Sequence, residues 1–494
     1  MPETYSPHNF KLEVATFVNN EGEGYDIIAP NVMLGFKIHE SITSNFLMGE
    51  VVIADSLGIL EHGKLFGQES IRLRFQQPQG FGSEVHDNET IDQVFRIYQI
   101  DSINRIGQNT LVYTLRFCSP EFTQARRIRV SQAYRGSMTD IAGQIAQDHL
   151  DIDIDPTVGT GDTFPKLVPY FDVREKSAGD NFHVVIPNWT CNYAINWLCE
   201  QAQGTDSQSG LQDSFYFYQT ANGGYRIQSI ESMMNVSYLD GSPFSYSTIE
   251  PTNPREIGWD ETEGGSGMGK RIVSYRINRS ADVMDAIIEG MFASRQITID
   301  NTYKYYHEKT FDYLERFYAG NDMSMNPYPL VRQEEENIYI GHRAGEDGNV
   351  PTSLYKTYDR ITSYSDAYTT LTSDSHFVHD KKNNINQASH NTHLGSEQYR
   401  QAVRKLLNYY SMNLIIPTRT DISAGMLINL EIPMAKPGSE DMTSKFHSGM
   451  HLITDIDWAV DSGTQTCVVT LRVIKDSILE RIETALGEYP ERIA

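Results

Sequence analysis

The sequence predicts a mainly β protein with α+β insertions, organised around a β-domain that the chain contains twice. Residues Arg96–Phe117, moved forward by 356 positions, align with Leu452–Val473 without a gap, and nine of the 22 aligned pairs are identical. Each copy has the pattern of a β-hairpin, in which two alternating strands flank a glycine-containing turn. The identical pairs are Ile97/Ile453, Ile100/Ile456, Asp101/Asp457, Gly107/Gly463, Thr110/Thr466, Val112/Val468, Thr114/Thr470, Leu115/Leu471 and Arg116/Arg472.

Two shorter pairs of segments support the duplication. Phe36–Ser41 is similar to Tyr275–Ser280, and Ile71–Phe75 is similar to Ile428–Ile432. All three pairs follow the same order along both parts of the chain. We therefore interpret the chain as two copies of one β-domain interrupted by insertions, and a copy of about 110 residues suits a small barrel or sandwich.

The first β-barrel domain is predicted over residues 1–118. Apolar and polar side chains alternate in each of its segments, as is typical of strands with one buried face. A polar, glycine-containing loop at Pro78–Asn88 precedes the hairpin. The other predicted strands are Phe10–Val18, Asn31–Ser41, Phe46–Ala54 and Gly67–Gln76, with turns at Asn20–Tyr25 and Asp55–Gly58.

A small α+β insertion domain with a linker is predicted over residues 119–262. Ser137–Leu150 has apolar residues at helical spacing, and Ser137 with Asp140 forms a capping pair at its start. A second helix is expected after Thr190, and a hairpin follows it. The apolar stripe of the second helix is Cys191, Ala194, Ile195, Leu198, Cys199 and Ala202, and the hairpin strands are Ser214–Gln219 and Tyr225–Ile230. Proline and polar residues at 241–255 indicate the linker.

The second β-barrel domain is predicted in two parts. The first part, residues 263–310, has strands near Ile277 and at Gln296–Asp300. A loop-rich insertion without clear periodicity spans residues 311–395. Residues 396–476 supply the second part, in which the helix Ser396–Tyr410 precedes the closing strands and the repeated hairpin. Residues 477–494 form a C-terminal tail.

Composition limits the classes of function. The net charge of −24 argues against binding of nucleic acid through its phosphates, which needs clustered Lys and Arg. No apolar run is long enough to span a bilayer. The N-terminal residues lack a basic start and an apolar stretch, so we expect no secretory signal. The four cysteines have no metal-type spacing and are expected to be reduced core residues.

Two stretches imitate ligand loops but lack essential parts. Gly264–Arg271 is close to a phosphate-binding loop, but Arg271 replaces the hydroxyl that should hold magnesium and a strand follows instead of a helix. Asp151–Asp162 has the acidic spacing of a calcium-binding loop, yet Pro156 stands where that loop needs glycine for a sharp bend. We interpret the first as a linker and the second as a solvated acidic face.

The remaining candidate for metal binding is a set of four histidines in a polar segment. They have no accompanying carboxylate pattern, so surface histidines are the simpler interpretation. The residues are His376, His379, His390 and His393. A nucleophile elbow, a zinc-protease motif and a dinucleotide fingerprint are all missing from the sequence. The sequence therefore predicts no catalytic, cofactor-binding or metal-binding residues.

Alanine variants test the prediction that the chain is not an enzyme. Replacing Lys270, Asp153 or His379 with alanine is expected to leave assembly nearly normal, because each belongs to a motif that fails in its structural context. Hydrolysis and ATPase rates of the purified variants provide the measurement. Abolition of a measurable rate by any one of them would contradict the prediction.

The chain resembles the central hub protein of contractile-tail phage baseplates, the ring above the spike in T-even-type phages. It is also similar to the base of the type VI secretion spike. The resemblance is carried by Phe36–Leu73, with its Gly49-Glu-Val-Val-Ile53 segment and Asp55-Ser56 turn, by Val184–Ala202 and by Ser396–Asp476. Residues 321–390 match nothing in that family. No catalytic residues are transferred, because the family has none.

The resemblance implies two β-barrel domains shaped like the tail-tube subunit in each chain. Three chains would then form a pseudo-six-fold ring that joins the six-fold tail tube to the three-fold central spike, with DNA present only in transit. Expected partners are the other chains of the homotrimer, a tail-tube or tube-initiator ring protein, the spike protein and baseplate wedge proteins. The expected location is the virion tail, after assembly in the host cytoplasm, without membrane insertion.

Two alternatives stay open at this point. One is a hub or spike-base protein of a bacterial contractile injection system. The other is a tail-associated cell-wall hydrolase built on β-domains, since paired carboxylates cannot be identified from sequence alone. The acidic excess is expected to fall partly on the lining of the ring, where it would repel passing DNA, or else to be spread over the outer face for solubility.

Overall fold

A computed structural model of the chain is dominated by β-strands, which confirms the prediction of a mainly β protein. The structure describes residues 10–28, 32–76, 90–106, 109–152, 171–173, 182–202, 214–222, 224–234, 244–246, 271–300, 305–313, 325–330, 360–363, 377–380, 385–388, 396–432 and 443–479.

The strands and helices are numbered in chain order. The strands before residue 247 are β1 (Lys11–Val18), β2 (Gly24–Asp26), β3 (Met33–Ser41), β4 (Met48–Asp55), β5 (Ser70–Gln76), β6 (Thr90–Ile106), β7 (Thr110–Cys118), β8 (Arg129–Gly136), β9 (Phe171–Val173), β10 (Phe182–Thr190), β11 (Phe215–Gln219), β12 (Tyr225–Ser229) and β13 (Phe244–Tyr246). The later strands are β14 (Arg271–Ile272), β15 (Ser274–Arg279), β16 (Ala293–Asp300), β17 (Tyr305–Asp312), β18 (Tyr328–Pro329), β19 (Arg360–Ser363), β20 (Phe377–Asp380), β21 (Ile385–Ala388), β22 (Ser411–Ile416), β23 (Leu427–Glu431), β24 (Gly449–Asp461), β25 (Thr466–Ile474) and β26 (Ser477–Ile478). The helices are α1 (Ile59–His62), α2 (Pro120–Arg127), α3 (Met138–Leu150), α4 (Cys191–Gln201), α5 (Ile230–Met234), α6 (Val283–Ile288) and α7 (Ser396–Tyr409).

One sheet of 14 strands forms the centre of the molecule. Its first half, residues 10–118, has the strand order β3-β4-β7-β6-β5-β1-β2, and its second half has the order β15-β22-β25-β24-β23-β13-β14. The halves are joined by antiparallel pairing of β24 with β3. Apolar side chains from both halves pack into a single core that includes Phe36, Phe75, Leu414 and Trp458.

The predicted barrels are not closed among the described strands. In the first half the sheet ends at β2. In the second half, one branch from β24 ends at β14 and the other at β15, and only Val273 lies between these two strands in the chain. The reason lies in β24, which shares one long edge between two neighbours. Its residues 449–452 pair with β23, whereas its residues 455–461 pair with β3 of the other half. An edge that could help to close one half is used to join the two halves.

The insertion domain, residues 119–234, has its own core and confirms the predicted helices. Ser137 begins α3 by accepting a hydrogen bond from the Asp140 N–H at 3.1 Å, and Thr190 caps α4 in the same way through Tyr193. These helices pack on β8 and β10, an antiparallel pair that was not predicted. The predicted hairpin is present as β11 and β12.

The segment between β15 and β22 contains more regular structure than the sequence indicated. Strand β16 pairs with β17 and β19 in a separate sheet, although it was predicted as part of the second β-domain. Strands β20 and β21 form a further hairpin. Helix α7, predicted at Ser396–Tyr410, packs through Leu406 and Tyr409 against Met291 and Phe292. No helix in the described part of the chain is long and apolar enough to cross a membrane.

Candidate assembly interface

The junction between the halves is a continuous stretch of antiparallel sheet. Seven residue pairs connect β24 with β3, from Asp455 opposite Ser41 to Asp461 opposite Gly35. Glycine at position 35 allows close approach, since a Cβ there would lie 2.4 Å from the Val460 carbonyl oxygen. The junction is therefore built by strand pairing as tight as that within each half.

Side chains support the junction on both faces of the sheet. Trp458 and Ile38 lie opposite each other and are fully buried in the shared core. On the outer face, His39 Nδ1 lies 2.7 Å from Asp457 Oδ1. The hydrogen bond to Asp457 is the largest cause that raises the pKa of His39. The outer pair is therefore a charge-assisted contact when His39 is protonated, while burial of apolar area stabilises the inner face.

The repeated segments found in the sequence occupy corresponding strands in the two halves. The hairpins are β6–β7 and β24–β25, and each central pair is flanked by strands in the same order. The segment pair Phe36–Ser41 and Tyr275–Ser280 falls on β3 and β15, and the pair Ile71–Phe75 and Ile428–Ile432 falls on β5 and β23. The correspondence extends beyond the residues that revealed it, because β4 and β22 also take equivalent places.

A backbone hydrogen bond that occurs in both halves shows which residues correspond in the loops before β5 and β23. In the first half, the Ile97 N–H donates to the Glu69 carbonyl oxygen at 2.9 Å. In the second half, the Ile453 N–H donates to the Met426 carbonyl oxygen at the same distance. Ile97 and Ile453 are an identical pair of the repeat. Glu69 and Met426 are therefore equivalent positions.

Two strand edges that correspond to the junction have no partner among the described residues. Residues 90–96 of β6 pair with β5, just as residues 449–452 of β24 pair with β23. Beyond them, the stretch of β24 that pairs with β3, residues 455–461, has its counterpart in residues 99–105 of β6. We call residues 98–106 the open edge of β6. Strand β15, the counterpart of β3, is paired on one side only, by β22. Unpaired edges of this kind are templates for strand addition.

The open edge of β6 exposes apolar side chains. Tyr98, Ile103 and Ile106 are 41, 53 and 60% exposed. A bulge follows Asp101, where Ser102 has φ 55°, so the strand twists away from its regular register there. Exposed isoleucine on an unpaired edge invites association with another chain.

A buried carboxylate binds the insertion domain to both halves. Glu40, in β3, is fully buried. Its Oε2 accepts a hydrogen bond from the Ala221 N–H at 2.7 Å, and its Oε1 accepts one from the Ala424 N–H at 2.5 Å. Ala221 belongs to the turn between β11 and β12, and Ala424 to the loop between β22 and β23. One side chain thus connects three parts of the chain.

Burial raises the pKa of Glu40 to about 7. The two backbone N–H donors and the nearby Arg226 act in the opposite direction, because they favour the charged form. The carboxyl group therefore changes its charge near neutral pH. Its protonation is coupled to the contact of the three segments that meet around it.

Amide side chains reinforce this three-way contact. Gln219 Oε1 accepts hydrogen bonds from the Leu47 N–H at 3.0 Å and from the Ser119 hydroxyl. Asn222, beside Ala221, donates from its Nδ2 to the Thr420 carbonyl oxygen in the second half. The hairpin tip of the insertion domain is therefore held by polar contacts on both sides of the junction.

A second group of buried titratable side chains lies where β25 ends. Lys475 is fully buried, with its Nζ 4.6 Å from the centre of the Tyr410 ring and 4.9 Å from that of the Phe446 ring. His447 Nδ1 lies 3.0 Å from Tyr410 Oη. His451 is fully buried, and its Nδ1 lies 2.8 Å from the backbone carbonyl oxygen two residues earlier. The group combines three basic side chains with two aromatic rings.

Burial determines the charge of this group. It lowers the pKa of Lys475 to about 7 and the pKa of His451 well below its ordinary value, and Lys475 lowers the latter further. Asp476 beside them has its pKa raised to about 6 by burial. In the first half, Phe95 stands at the position that His451 takes in the repeat. The second half thus replaces an apolar core residue with an ionisable one.

Only parts of the stretches that imitate ligand sites are described. Residues 153–162 and 264–270 lie outside the described residues, as do His376, His390 and His393. Arg271 begins β14, and His379 belongs to β20. Within the described part of the chain, no three His, Cys, Asp or Glu side chains gather at one point. The interpretations of these stretches stay predictions.

The four cysteines are buried and free, as the sequence predicted for core residues. Burial raises the pKa of Cys118, Cys199 and Cys467 to about 12 and that of Cys191 to about 11. Their thiolates are therefore scarce at neutral pH, which makes them poor nucleophiles.

The sequence reasoning did not single out Glu40 or Lys475. A signal for Glu40 is present, because in β3 it follows Phe36 and Ile38 at spacing two and so falls on their buried face. For His451, the signal is the repeat itself, which aligns it with a phenylalanine. An ionisable residue in a core register indicates a specific role in folding or assembly.

Solved structures similar to the chain are distant in sequence. The 43 kDa tail protein of prophage MuSo2 from Shewanella oneidensis is 9% identical, with 94% of this chain and 99% of that chain covered and a TM-score of 0.49. A tail protein from Neisseria meningitidis is 8% identical, with 95% and 97% covered and a TM-score of 0.47. An Escherichia coli component of the type VI secretion system is 10% identical, with 95% and 77% covered and a TM-score of 0.39.

Comparisons by sequence give no relative. No protein-family model matches the chain, and no curated protein matches it. The solved structures that the chain is similar to include two tail proteins and a component of type VI secretion.

Proposed function

We propose that the chain is a structural hub in the baseplate of a contractile phage tail. Three copies form a ring in which six β-units alternate, with the tail tube on one face and the central spike on the other. The observation that carries the proposal is the junction of β24 with β3. It joins the two halves through edges whose counterparts, in β6 and β15, have no strand partner among the residues that the structure describes.

Ring closure follows from repeating the junction between chains. The β6 edge of one chain pairs with the β15 edge of the next, so the contact is head-to-tail and closes when the rotation matches. The registers of the strands convert the pair Asp457–His39 into Asp101 opposite the partner's Arg279, because Arg279 pairs with Ser411 as His39 pairs with Met48. First halves and second halves then alternate around the ring, and each half pairs with one half of the same chain and one half of a neighbouring chain.

The number of chains follows from what such a ring must connect. The resemblance of the sequence to baseplate hubs implies a six-fold tube above and a three-fold spike below. Three chains with two β-units each present six similar edges to the tube. The unequal insertions of the two halves leave true three-fold symmetry for the spike. The insertions lie at the periphery in this arrangement, and wedge proteins of the baseplate can contact them there.

The role is structural and not catalytic. DNA passes through the ring, and the net charge of −24 disfavours a grip on its phosphates. The described carboxylates with raised pKa are Glu40, Glu121 and Asp476, and all three are buried and accept hydrogen bonds in the interior. The same ring could also serve in a bacterial contractile injection system, where the tube and spike have the same symmetries.

Mass measurement on the purified protein tests the ring. Three chains of 56.1 kDa give a particle of about 170 kDa. Replacing Ile103 and Ile106 with lysine is expected to abolish the particle, because the open edge of β6 would then carry two charges into a strand pairing. Both side chains are more than half exposed in the single chain, so its free energy of unfolding should change by less than about 0.5 kcal/mol.

A matched control is Val185→Lys in β10 of the insertion domain, where the side chain is 71% exposed and the strand belongs to a different sheet from β6 and β15. The control should keep the ring. If the ring forms only with tail partners, the same masses are measured on the isolated baseplate core. A stable hexamer, or a ring unaffected by the two lysines, would show that the proposed closure is wrong.

A further inference from the structure

The loop between β4 and β5, residues 56–69, is a rigid element that presents apolar side chains to solvent. We call it the Phe66 loop. Phe66 is 77% exposed and Leu57 is 67% exposed, the two highest values among the described large apolar residues apart from Val185. Such exposure on an ordered loop indicates a surface that another molecule covers.

Two buried carboxylates hold this loop in place. Glu69 is fully buried and accepts hydrogen bonds from three successive backbone N–H groups, those of Phe66, Gly67 and Gln68, at 2.8 to 2.9 Å. Asp55, at the other end, accepts from the N–H of Leu57 at 3.0 Å and from two further N–H groups of α1. The exposed rings and side chains are therefore held outward by the fold.

The corresponding loop of the second half, residues 417–426, is covered. Gly425 lies against Tyr218 and Met233 of the insertion domain. The carboxylate that this loop needs comes from outside, because Glu40 of the neighbouring half accepts from the Ala424 N–H. Met426 stands where the Phe66 loop has Glu69. At the junction, β3 thus supplies the Glu40 carboxylate to the loop at residues 417–426, which has methionine in place of its own glutamate.

The charge pair of the junction has a counterpart at the open edges. The counterpart of His39 in β15 is Arg279, because β15 has a bulge after Ile277 and Arg279 pairs with Ser411 as His39 pairs with Met48. Arg279 is exposed and lies 3.3 Å from Asp282. The strand that would pair with the open edge of β6 therefore ends in a cation, and the loop beside that edge carries its own anion, Glu69.

The Phe66 loop is continuous with the open edge of β6. The Arg96 guanidinium, at the start of that edge, donates to the Gln68 carbonyl oxygen at 3.1 Å. A Cβ at Gly67 would lie 3.9 Å from the backbone of Tyr98. A chain that pairs with the edge must therefore pass next to the loop.

We propose that the Phe66 loop is a docking surface for a second copy of this chain, which brings the partner's Arg279 opposite Asp101 on the open edge of β6 and covers Leu57 and Phe66. In the second half, the loop at residues 417–426 is covered by the insertion domain, which follows β7 in the chain. The counterpart of the insertion domain is the segment after β25 of the partner. In that segment Leu479 follows β26 and is 46% exposed. This inference rests on the proposed ring and adds to it a contact that lies outside the strand pairing.

Photo-crosslinking tests the docking surface. With p-benzoylphenylalanine in place of Phe66, irradiation of the assembled ring is expected to link two copies, with the attachment in the partner near Arg279 or after β25. The same amino acid in place of Val185, an equally exposed position in the insertion domain, is the control and should give no link between copies. Peptide mapping by mass spectrometry identifies the attachment.

Two variants measure what the contact contributes. Phe66→Ala should weaken assembly by about tenfold or more, and Arg279→Glu should do the same while Arg279→Lys keeps most of the assembly. A ring of the expected mass without links from position 66 and without an effect of Phe66→Ala would overturn the docking surface but leave the ring standing. Links to another tail protein only would also overturn it. Absence of any ring for the unmodified chain, alone or in the baseplate core, would overturn the ring itself.

Discussion

Replacing Glu40 with alanine is expected to lower the free energy of unfolding by about 3 to 5 kcal/mol. The substitution removes both acceptors for the N–H groups of Ala221 and Ala424, which lie in different parts of the chain. Each buried N–H left without an acceptor costs about 1 to 3 kcal/mol. The measurement is denaturant unfolding of the variant and the unmodified chain at the same pH.

The matched control for this prediction is Glu50→Ala. Glu50 lies in the adjacent strand β4, and its carboxylate is 39% exposed and 3.6 Å from Lys37. Surface ion pairs of this kind contribute about 0 to 1 kcal/mol, so the control should change little. Equal effects of the two substitutions would mean that Glu40 does not hold the three segments together.

Glutamine at position 40 removes the titration but keeps only one of the two acceptors, so its effect is read from the pH dependence of stability. The pKa of Glu40 is about 7 in the folded chain, against 4.5 as its ordinary value, so the folded state holds the proton more tightly. The stabilisation from this proton is full below pH 4.5 and is lost as the pH rises to about 7. Relative to the unmodified chain, Glu40→Gln should therefore gain about 3 kcal/mol between pH 4.5 and pH 8.

Most of the central sheet could be predicted from local sequence patterns. Alternation identified β1, β3, β4, β5 and both hairpins, because one face of each strand is buried and the other is not. Helices α3 and α7 followed from their apolar stripes, and the cap of α3 from Ser137. The duplication was visible because the hairpin keeps identical residues at its turn and along both strands.

The pairing of β24 with β3 could not be predicted in the same way. His39 and Asp457 are 418 positions apart, and each strand has the same alternation whether it closes its own domain or joins another. The choice depends on the whole sheet, in which β24 is long enough to serve two neighbours. For the same reason the sequence suggested closed barrels, whereas the described strands form one open sheet.

The candidate interface was even less accessible from sequence. Phe66 resembles any apolar residue before a strand, and only its 77% exposure together with the three N–H groups bound by Glu69 distinguishes it. Likewise, a role for Arg279 is visible only when the registers identify it as the counterpart of His39. Both inferences need the loops and strands of the two halves to be placed side by side.

Replacing Lys475 with methionine is expected to raise the free energy of unfolding at pH 7 by about 2 to 4 kcal/mol. Methionine keeps most of the volume but removes an amine whose Nζ has no hydrogen-bond partner in the described part of the structure. Contacts of the ammonium with the Tyr410 and Phe446 rings offset part of the burial cost, by about 2 kcal/mol at most. The control is Lys37→Met, where the side chain is 66% exposed and the change should stay within about 0.5 kcal/mol.

The pH dependence of stability distinguishes the charge of Lys475 from its packing, because a change in packing alone would not alter the slope of stability against pH. The pKa of Lys475 is about 7 in the folded chain and 10.5 ordinarily, so between these values the unfolded chain binds the additional proton. The stability of the unmodified protein should therefore rise as the pH increases from about 7 to 10.5, and should fall as the pH decreases over that range. In Lys475→Met the part of this slope due to the lysine disappears, while the contributions of His447, His451 and Asp476, which titrate at lower pH, remain. An unchanged slope above pH 7, or a variant less stable than the unmodified chain at pH 7, would show that Lys475 is accommodated as a cation and that its burial carries no large cost.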